Sequence, residues 1–156
     1  MDKKIIALSG HKYCGKVSVA IELAKNSDIE FIHPVTDKQT ENHSDYYGDE
    51  YTHISKEKMN ELVNSGKLLS MTVVGGYRYC FFDFQLKSEY SVMIVDDDAL
   101  MQIIENFDGK LFTVRVYSDN EVKTDRVGNY TKYDETFHYK VDDVSELEWR
   151  IGYEFD

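Results

Sequence analysis

Three features of the 156-residue chain predict an α/β fold of three layers. Short apolar runs at 5–8 and 91–95 are bounded by turn residues, as buried parallel strands are. Segments at 17–25 and 99–106 carry apolar residues three and four positions apart, the spacing of a helix with one buried face. Between them, β-rich runs at 68–74 and 77–84 flank Gly75-Gly76, a strong hairpin signal. A chain of this length buries roughly two thirds of its unfolded surface and is expected to form one domain.

The elements follow in order. Residues 5–8 form the first strand, broken at Ser9-Gly10. Val17, Ala20, Ile21 and Ala24 make the buried face of the helix at 17–25, and Asn26-Ser27-Asp28 ends it. Residues 29–33 read as a second strand. The polar stretch 34–49 reads as a long surface loop, either functional or disordered. Ser55 N-caps a helix whose apolar face is Met59, Leu62 and Val63, and Gly66 stops it. After the hairpin, the strand at 91–95 runs into Asp96-Asp97-Asp98. A helix at 99–106 and a strand at 111–116 follow. Residues 118–136 are polar and turn-rich; 137–141 returns as a strand, and 144–151 closes as a helix with Trp149 and Ile151 on its apolar side.

Composition narrows the function. There are 18 Lys+Arg against 29 Asp+Glu, a net charge of −11. This balance argues against broad electrostatic binding to nucleic acid. The acidic surplus over 117–156 reads as a solvated face, or as a docking surface for a basic protein partner. Cys14 and Cys80 are too few for a disulfide framework. No stretch approaches the ~20 apolar residues of a membrane span, and the run at 5–8 is too short for a signal peptide. A soluble, cytoplasmic protein without membrane contact is expected. Of the 18 cationic side chains only four are arginines, Arg78, Arg115, Arg126 and Arg150. Any function needing several bidentate forks on phosphate must draw on those four. Arg115 falls in a core strand and Arg150 in the last helix.

The turn after the first strand reads Gly10-His11-Lys12-Tyr13-Cys14-Gly15-Lys16-Val17-Ser18. It satisfies G-x-x-x-x-G-K with a buried strand before it and an amphipathic helix after it, the context of a P-loop. The glycines let successive backbone N–H groups and the helix N-terminus face a phosphate. Gly10, Tyr13, Cys14, Gly15, Lys16, Val17 and Ser18 are therefore the expected ATP-binding residues, with Lys16 reaching the β- and γ-phosphates. Val17 stands where a hydroxyl usually meets Mg²⁺, so Ser18 is the candidate ligand, with Asp96 at a strand end as a second. Asp96-Asp97-Asp98 reads equally well as a helix N-cap with an acidic first turn.

The chain here resembles the guanylate kinases, a branch of the P-loop nucleoside-monophosphate kinases. Three blocks carry the resemblance: Ile6 through Ser18; Gly48-Asp49-Glu50-Tyr51-Thr52-His53-Ile54-Ser55-Lys56-Glu57 with its following helix; and Gly76-Tyr77-Arg78-Tyr79. It implies a P-loop NTPase three-layer sandwich with a parallel core sheet at 1–33 and 88–156, a small β-rich monophosphate-binding insert at about 34–87, and a shortened lid at about 118–136. It further implies transfer of a phosphoryl group from ATP, with Mg²⁺, to a nucleotide monophosphate, GMP or dGMP foremost. By the same resemblance Tyr51 and Tyr79 hold the monophosphate and Asp96 or Asp97 lies near metal and base. Lys16 and Arg126 (the remnant of the lid) are the catalytic cations.

Several family features are replaced. The two clamp arginines fall near Gln39 and Asn42, with Lys38 one position away as a substitute charge. The carboxylate that reads guanine aligns with Ser70, and the serine after the hairpin with Phe81. Lys38, Gln39, Tyr51, Ser70, Arg78, Tyr79 and Asp96 are thus the expected acceptor residues. Phosphoryl transfer rests almost wholly on positioning and charge, so losing one arginine from the transferring group can cost on the order of 10³–10⁵ in rate. The sequence leaves two readings: a divergent, impaired kinase, or a guanylate-kinase-like domain turned to binding nucleotides or proteins.

Overall fold

The structure is a computed structural model that describes residues 3–10, 15–38, 51–117 and 137–140. In chain order the elements are β1 (Lys4–Ser9), α1 (Lys16–Leu23), β2 (Ile29–Phe31), β3 (Val35–Thr36), β4 (Thr52–His53), α2 (Lys56–Ser65), β5 (Leu68–Val74) and β6 (Tyr77–Phe82). A 3₁₀ turn (Asp83–Gln85), β7 (Tyr90–Ile94), α3 (Asp97–Asn106), β8 (Lys110–Tyr117) and β9 (Phe137–Lys140) complete them.

Among the described residues two sheets form. The core sheet has the order β2–β7–β1–β8–β9, and every pairing in it is parallel. The second sheet has the order β4–β3–β6–β5; β3 pairs with β4 in parallel and with β6 antiparallel, as β5 does with β6. Strand alternation sorts the side chains of β1 to opposite layers. Ile6 and Leu8 pack with Val19, Ala20 and Leu23 of α1, while Ile5 and Ala7 pack with Ala99, Leu100 and Ile103 of α3. Helices on both faces of a parallel sheet make the three-layer α/β sandwich that the apolar runs predict.

Local signals account for the ends of elements. Ser55 Oγ accepts from the Lys58 N–H at 3.1 Å and starts α2. Asp96 does the same for α3 through Ala99 N–H at 2.7 Å. The β5–β6 hairpin turns on Gly75 and Gly76, at φ 60° and 84°, a backbone that costs glycine little. Gly66 ends α2 for a steric reason: a Cβ there would lie 2.8 Å from the Leu62 carbonyl oxygen.

Three expectations need correction. Residues 34–38 are not surface loop: Pro34, Val35, Thr36 and Asp37 are buried, and β3 is one of the two inner strands of the second sheet. The polar letters misled because a two-residue strand is too short to show a period. The buried face of α1 is Val19, Ala20 and Leu23, leaving Val17 and Ile21 exposed at 36% and 51%. Two apolar stripes overlap on this helix at Ala20, and the one with Val19 and Leu23 is turned onto Ile6 and Leu8 of the core sheet. The strand after the hairpin ends at Phe82, where Gln85 Oε1 takes the Phe82 N–H at 2.8 Å and the chain turns. The lid at 118–136 and the closing helix at 144–151 lie outside the described residues, as do Trp149 and Arg150.

Candidate functional site

β1 is the central strand, and the order of the core sheet reverses beside it. From β1 the chain crosses through α1 to β2 at the edge; from β7 it crosses through α3 to β8 on the far side of β1. Ligands of open α/β sheets bind at the carboxyl ends of the strands where such a reversal occurs. Gly10 and Gly15 lie at that end. Gly15 is the N-cap of α1 at φ 99°, ψ 14°, with no side chain capping the helix. Only glycine adopts this backbone readily. The first turn of α1 thus presents backbone N–H groups at the edge of the sheet. Lys16 Nζ donates to the Gly10 carbonyl oxygen at 2.7 Å. Val17 and Ser18 occupy the exposed first turn. Tyr13 and Cys14 lie outside the described residues.

Asp96 reaches the same edge. The Val95 N–H donates to the Leu8 carbonyl at 2.9 Å, so the end of β7 is fastened to the end of β1 one residue before Asp96. One Asp96 oxygen caps α3, and burial, aided by the neighbouring Asp98 and Asp97, pushes its carboxyl above the usual range despite the Ala99 hydrogen bond. Of the two sequence readings of Asp96, the N-cap is the one seen, at the edge of the sheet where β1 ends. Arg115 is a cation that the sequence reading set aside as core. It is buried on β8 at 4% exposure, directly opposite Ser9 in the parallel register. A charged residue inside the run Leu111–Val116 was the available signal.

The second sheet has two unlike faces. On one, the registers align Thr72, Tyr79, Thr36 and His53 in a single row across β5, β6, β3 and β4, with Ser70 opposite Phe81 in a neighbouring row. The Tyr51 ring meets Tyr79 edge-on, 5.5 Å between centroids, and His53 at 6.1 Å. The structure thus brings together Tyr51, Tyr79 and Ser70, which the sequence assigned to the acceptor. His53 Nδ1 lies 2.7 Å from the Lys38 carbonyl oxygen. A carbonyl only accepts, so Nδ1 carries the proton. Lys38 is near this face, but its Nζ stands 5.8 Å from the Tyr77 ring centroid.

The other face packs on α2 through Val35, Met59, Cys80 and Phe82. Arg78 is on that face, since it precedes Tyr79 on β6 and alternates away from it. Its Nε donates to Asp37 Oδ2 at 2.7 Å and its backbone N–H to Asp37 Oδ1 at 2.9 Å. Asp37 is 2% exposed. The arginine placed at the acceptor phosphate by the sequence is therefore bound to a buried carboxylate and turned from Tyr79. Asp37 is the residue that sequence reading missed, hidden in what looked like a polar loop. Burial pushes the Cys80 thiol up to about 12, against the lowering effect of Arg78. Gln39 and Arg126 lie outside the described residues.

An open cavity of about 260 Å³ lies elsewhere, lined by Glu30, Phe31, His33, Thr52, Phe84 and Lys87 among others, and it includes none of the expected site residues. Among the described residues no three His, Cys, Asp or Glu side chains gather as a metal site. No helix among them is long and apolar enough to cross a membrane.

No protein-family model matches the chain, and no curated protein matches its sequence. Solved structures do. Guanylate kinase from Anaplasma phagocytophilum superposes with a TM-score of 0.62 at 16% identity, covering 97% of this chain and 84% of that one. A de novo designed P-loop fold protein covers 97% of this chain and 89% of its own at 14% identity, with a TM-score of 0.38, too loose to bear on the fold. The chain has a guanylate-kinase-like fold.

Proposed function

We propose that this protein is a nucleoside-monophosphate kinase of guanylate-kinase type, moving the γ-phosphoryl group of ATP to a nucleotide monophosphate at a reduced rate. The observation that carries the reading is the Lys16 ammonium on the Gly10 carbonyl oxygen at the carboxyl end of the central strand, within a guanylate-kinase-like fold. Backbone N–H groups from Gly15 onward and the Lys16 ammonium would hold the donor phosphates. Tyr13 and Cys14 would complete that turn. Tyr51 and Tyr79 would hold the acceptor, with Ser70 beside them and Lys38 and Gln39 near the loop. Arg126 would supply charge from the lid. The reading implies cytoplasmic work on free nucleotides.

Magnesium fits this site only as a companion of the nucleotide. Ser18 offers an exposed hydroxyl in the first turn of α1, and Asp96 an oxygen beside the turn, the other being used in the cap. Two protein oxygens suit an ion that keeps most of its shell as water and phosphate. When bound, Mg²⁺ would neutralise charge on the β- and γ-phosphates; the chain's own residues orient and cradle them.

A second reading, a nucleotide- or protein-binding domain without catalysis, is favoured by the Asp37–Arg78 pair, which ties up an arginine expected at the acceptor. A basic partner for the acidic surface belongs to this reading. A coupled assay with ATP, Mg²⁺ and each monophosphate decides between them. Turnover with GMP, dGMP or another monophosphate that disappears in Lys16→Ala supports the kinase. Folded protein that binds nucleotide but transfers no phosphoryl group is the binding domain.

A further inference from the structure

β2 is an edge of the core sheet, and its outer side is closed at both ends and open between them. The Ile32 N–H donates to the Val92 carbonyl at 2.9 Å, so the backbone groups of Glu30 and Ile32 face β7 and those of Ile29 and Phe31 face outward. The Ile29 N–H is taken by the Asn26 carbonyl at 3.0 Å, and the His33 carbonyl accepts from Gln85 Nε2 at 2.7 Å. Between these two stops, the Ile29 carbonyl and both backbone groups of Phe31 have no strand beside them among the described residues. β5, an edge of the second sheet, is treated otherwise. Gln102 takes its Met71 N–H at 2.9 Å and its Met71 carbonyl at 3.0 Å, and Asn106 takes its Leu69 carbonyl at 3.0 Å. An unpaired edge is a template for another chain. This molecule covers β5 with the amides of α3 and leaves β2 uncovered.

The open stretch of β2 borders the cavity of about 260 Å³, where Glu30, Phe31 and His33 meet Thr52, Phe84 and Lys87. The edge is therefore recessed, with the 3₁₀ turn and β4 as its rim. Phe84 is 49% exposed although its ring stacks on buried Phe82, 5.1 Å between centroids, so a fixed apolar surface meets solvent in the cavity. Glu30 accepts only from the Ser88 hydroxyl, at 3.4 Å, and forms no ion pair among the described residues.

We propose that this groove binds an extended, basic peptide segment of another protein, added to β2 as a further strand. A residue of that segment opposite Phe31 exchanges both hydrogen bonds with it, which gives affinity without reading side chains. An apolar side chain of the segment lies on Phe84, and a Lys or Arg reaches Glu30. Lys87 on the same lining repels a second cation and so confines the basic residue to Glu30. The net charge of −11 favours a basic segment and opposes a second copy of this chain, which would also bring its own rim against this one. The inference is independent of the kinase reading, since it uses none of the donor or acceptor residues.

Fluorescence polarisation on the intact protein tests this, with labelled, amidated hexapeptides that alternate Lys with Val, Leu or Phe. At least one is expected to bind with a submillimolar Kd, and its counterpart with Glu in place of Lys about tenfold more weakly. N-methylation of a central residue removes one strand donor and should weaken binding about tenfold. Phe84→Ala and Glu30→Gln should each weaken it by about fivefold, with little change in melting temperature, because both side chains reach solvent. Saturating peptide should slow hydrogen exchange at the Phe31 N–H by about tenfold or more. No binding by any of the peptides at millimolar concentration overturns the inference, as does binding indifferent to N-methylation or to charge, or Phe31 exchange that peptide leaves unchanged. A concentration-dependent dimer that Glu30→Gln or Phe84→Ala disrupts would make a second copy the occupant, and overturns it too.

Discussion

The two sheets of this molecule treat charge in opposite ways. At the carboxyl edge of the core sheet, Lys16 opens a helix that no side chain caps and reaches the Gly10 carbonyl, and Arg115 is one strand away. In the second sheet the cation that neighbours the tyrosines is neutralised: Arg78 is fastened to Asp37 and faces α2. The face that Tyr51 and Tyr79 share is built of hydroxyls, rings and an imidazole. The sheets thus differ in where their cations stand: Lys16 at the carboxyl edge of the first, Arg78 paired within the second. Under the proposed kinase reading, transfer depends on charge placed around the moving group, so a reduced rate would belong to the second sheet and donor binding to the first.

Breaking the donor half has the largest expected effect. Lys16→Ala should lower any kcat/KM by on the order of 10²–10³, as loss of one transition-state donor does. ATP-dependent thermal stabilisation should shrink with it. Lys16 is on a partly exposed turn, so the melting temperature of the free protein should move little. Unchanged turnover in this variant would detach the activity from the turn.

The Asp37–Arg78 pair tests the other half. The Asp37 side chain is 3% exposed and that of Arg78 23%. Asp37→Ala should destabilise by about 2–4 kcal/mol in urea unfolding, since it strands a guanidinium and a backbone N–H against the α2 layer. Asp37→Ala with Arg78→Leu should recover much of this, because replacing both partners removes the stranded charge. If the double variant is no more stable than the single, the pair does not act as a unit.

Asp96 caps α3 at the end of β7 and has a smaller effect. Asp96→Ala should cost about 1 kcal/mol through the lost cap of α3, whereas Asp96→Asn keeps an acceptor for the Ala99 N–H. Burial raises the Asp96 carboxyl above its ordinary value of 3.8. A raised carboxyl holds its proton more tightly when folded, so its contribution to stability is full below 3.8 and is lost as pH rises through the folded value. Relative to the parent, Asp96→Asn should therefore gain stability as pH rises from 3.8. Melting curves across that range give the sign directly; a relative loss would show that the cap's hydrogen bond outweighs burial.

The smallest change is chemical. With its thiol pushed up to about 12 and fully buried, Cys80 should resist alkylation at pH 8 in native protein and react once urea unfolds it. Peptide mapping after labelling separates it from Cys14.

Much of the architecture was legible. Apolar runs at 5–8 and 91–95 became β1 and β7, Ser55 and Gly66 bound α2, and Gly75-Gly76 turned the hairpin. Each is a local rule of period, cap or turn that acts within a few residues. Tyr51 and Tyr79, 28 residues apart in sequence, could be paired only through the resemblance, and the structure puts their rings in contact. Asp37 was not legible. Its neighbours in sequence are Thr36 and Lys38, and nothing among them shows that the strand Val35–Thr36 is internal or that Arg78 waits across it.

From the sequence alone came β1, β7, β8, the β5–β6 hairpin and the helices α1 to α3, together with the glycine-bearing motif before α1 and the scarcity of arginine, because these depend on residue type and spacing. Tertiary structure decided which way each cation points. Arg78 and Tyr79 are adjacent letters, yet strand pleating sends them to opposite faces, and the burial of Asp37 gives the arginine a partner before any phosphate arrives. Arg115, read as core from its strand, is indeed buried, and register sets it beside Ser9 at the edge where the glycine turn begins. Charge is a property of the chain, but its availability depends on desolvation and on neighbours distant in sequence, and these exist only once the sheets have formed.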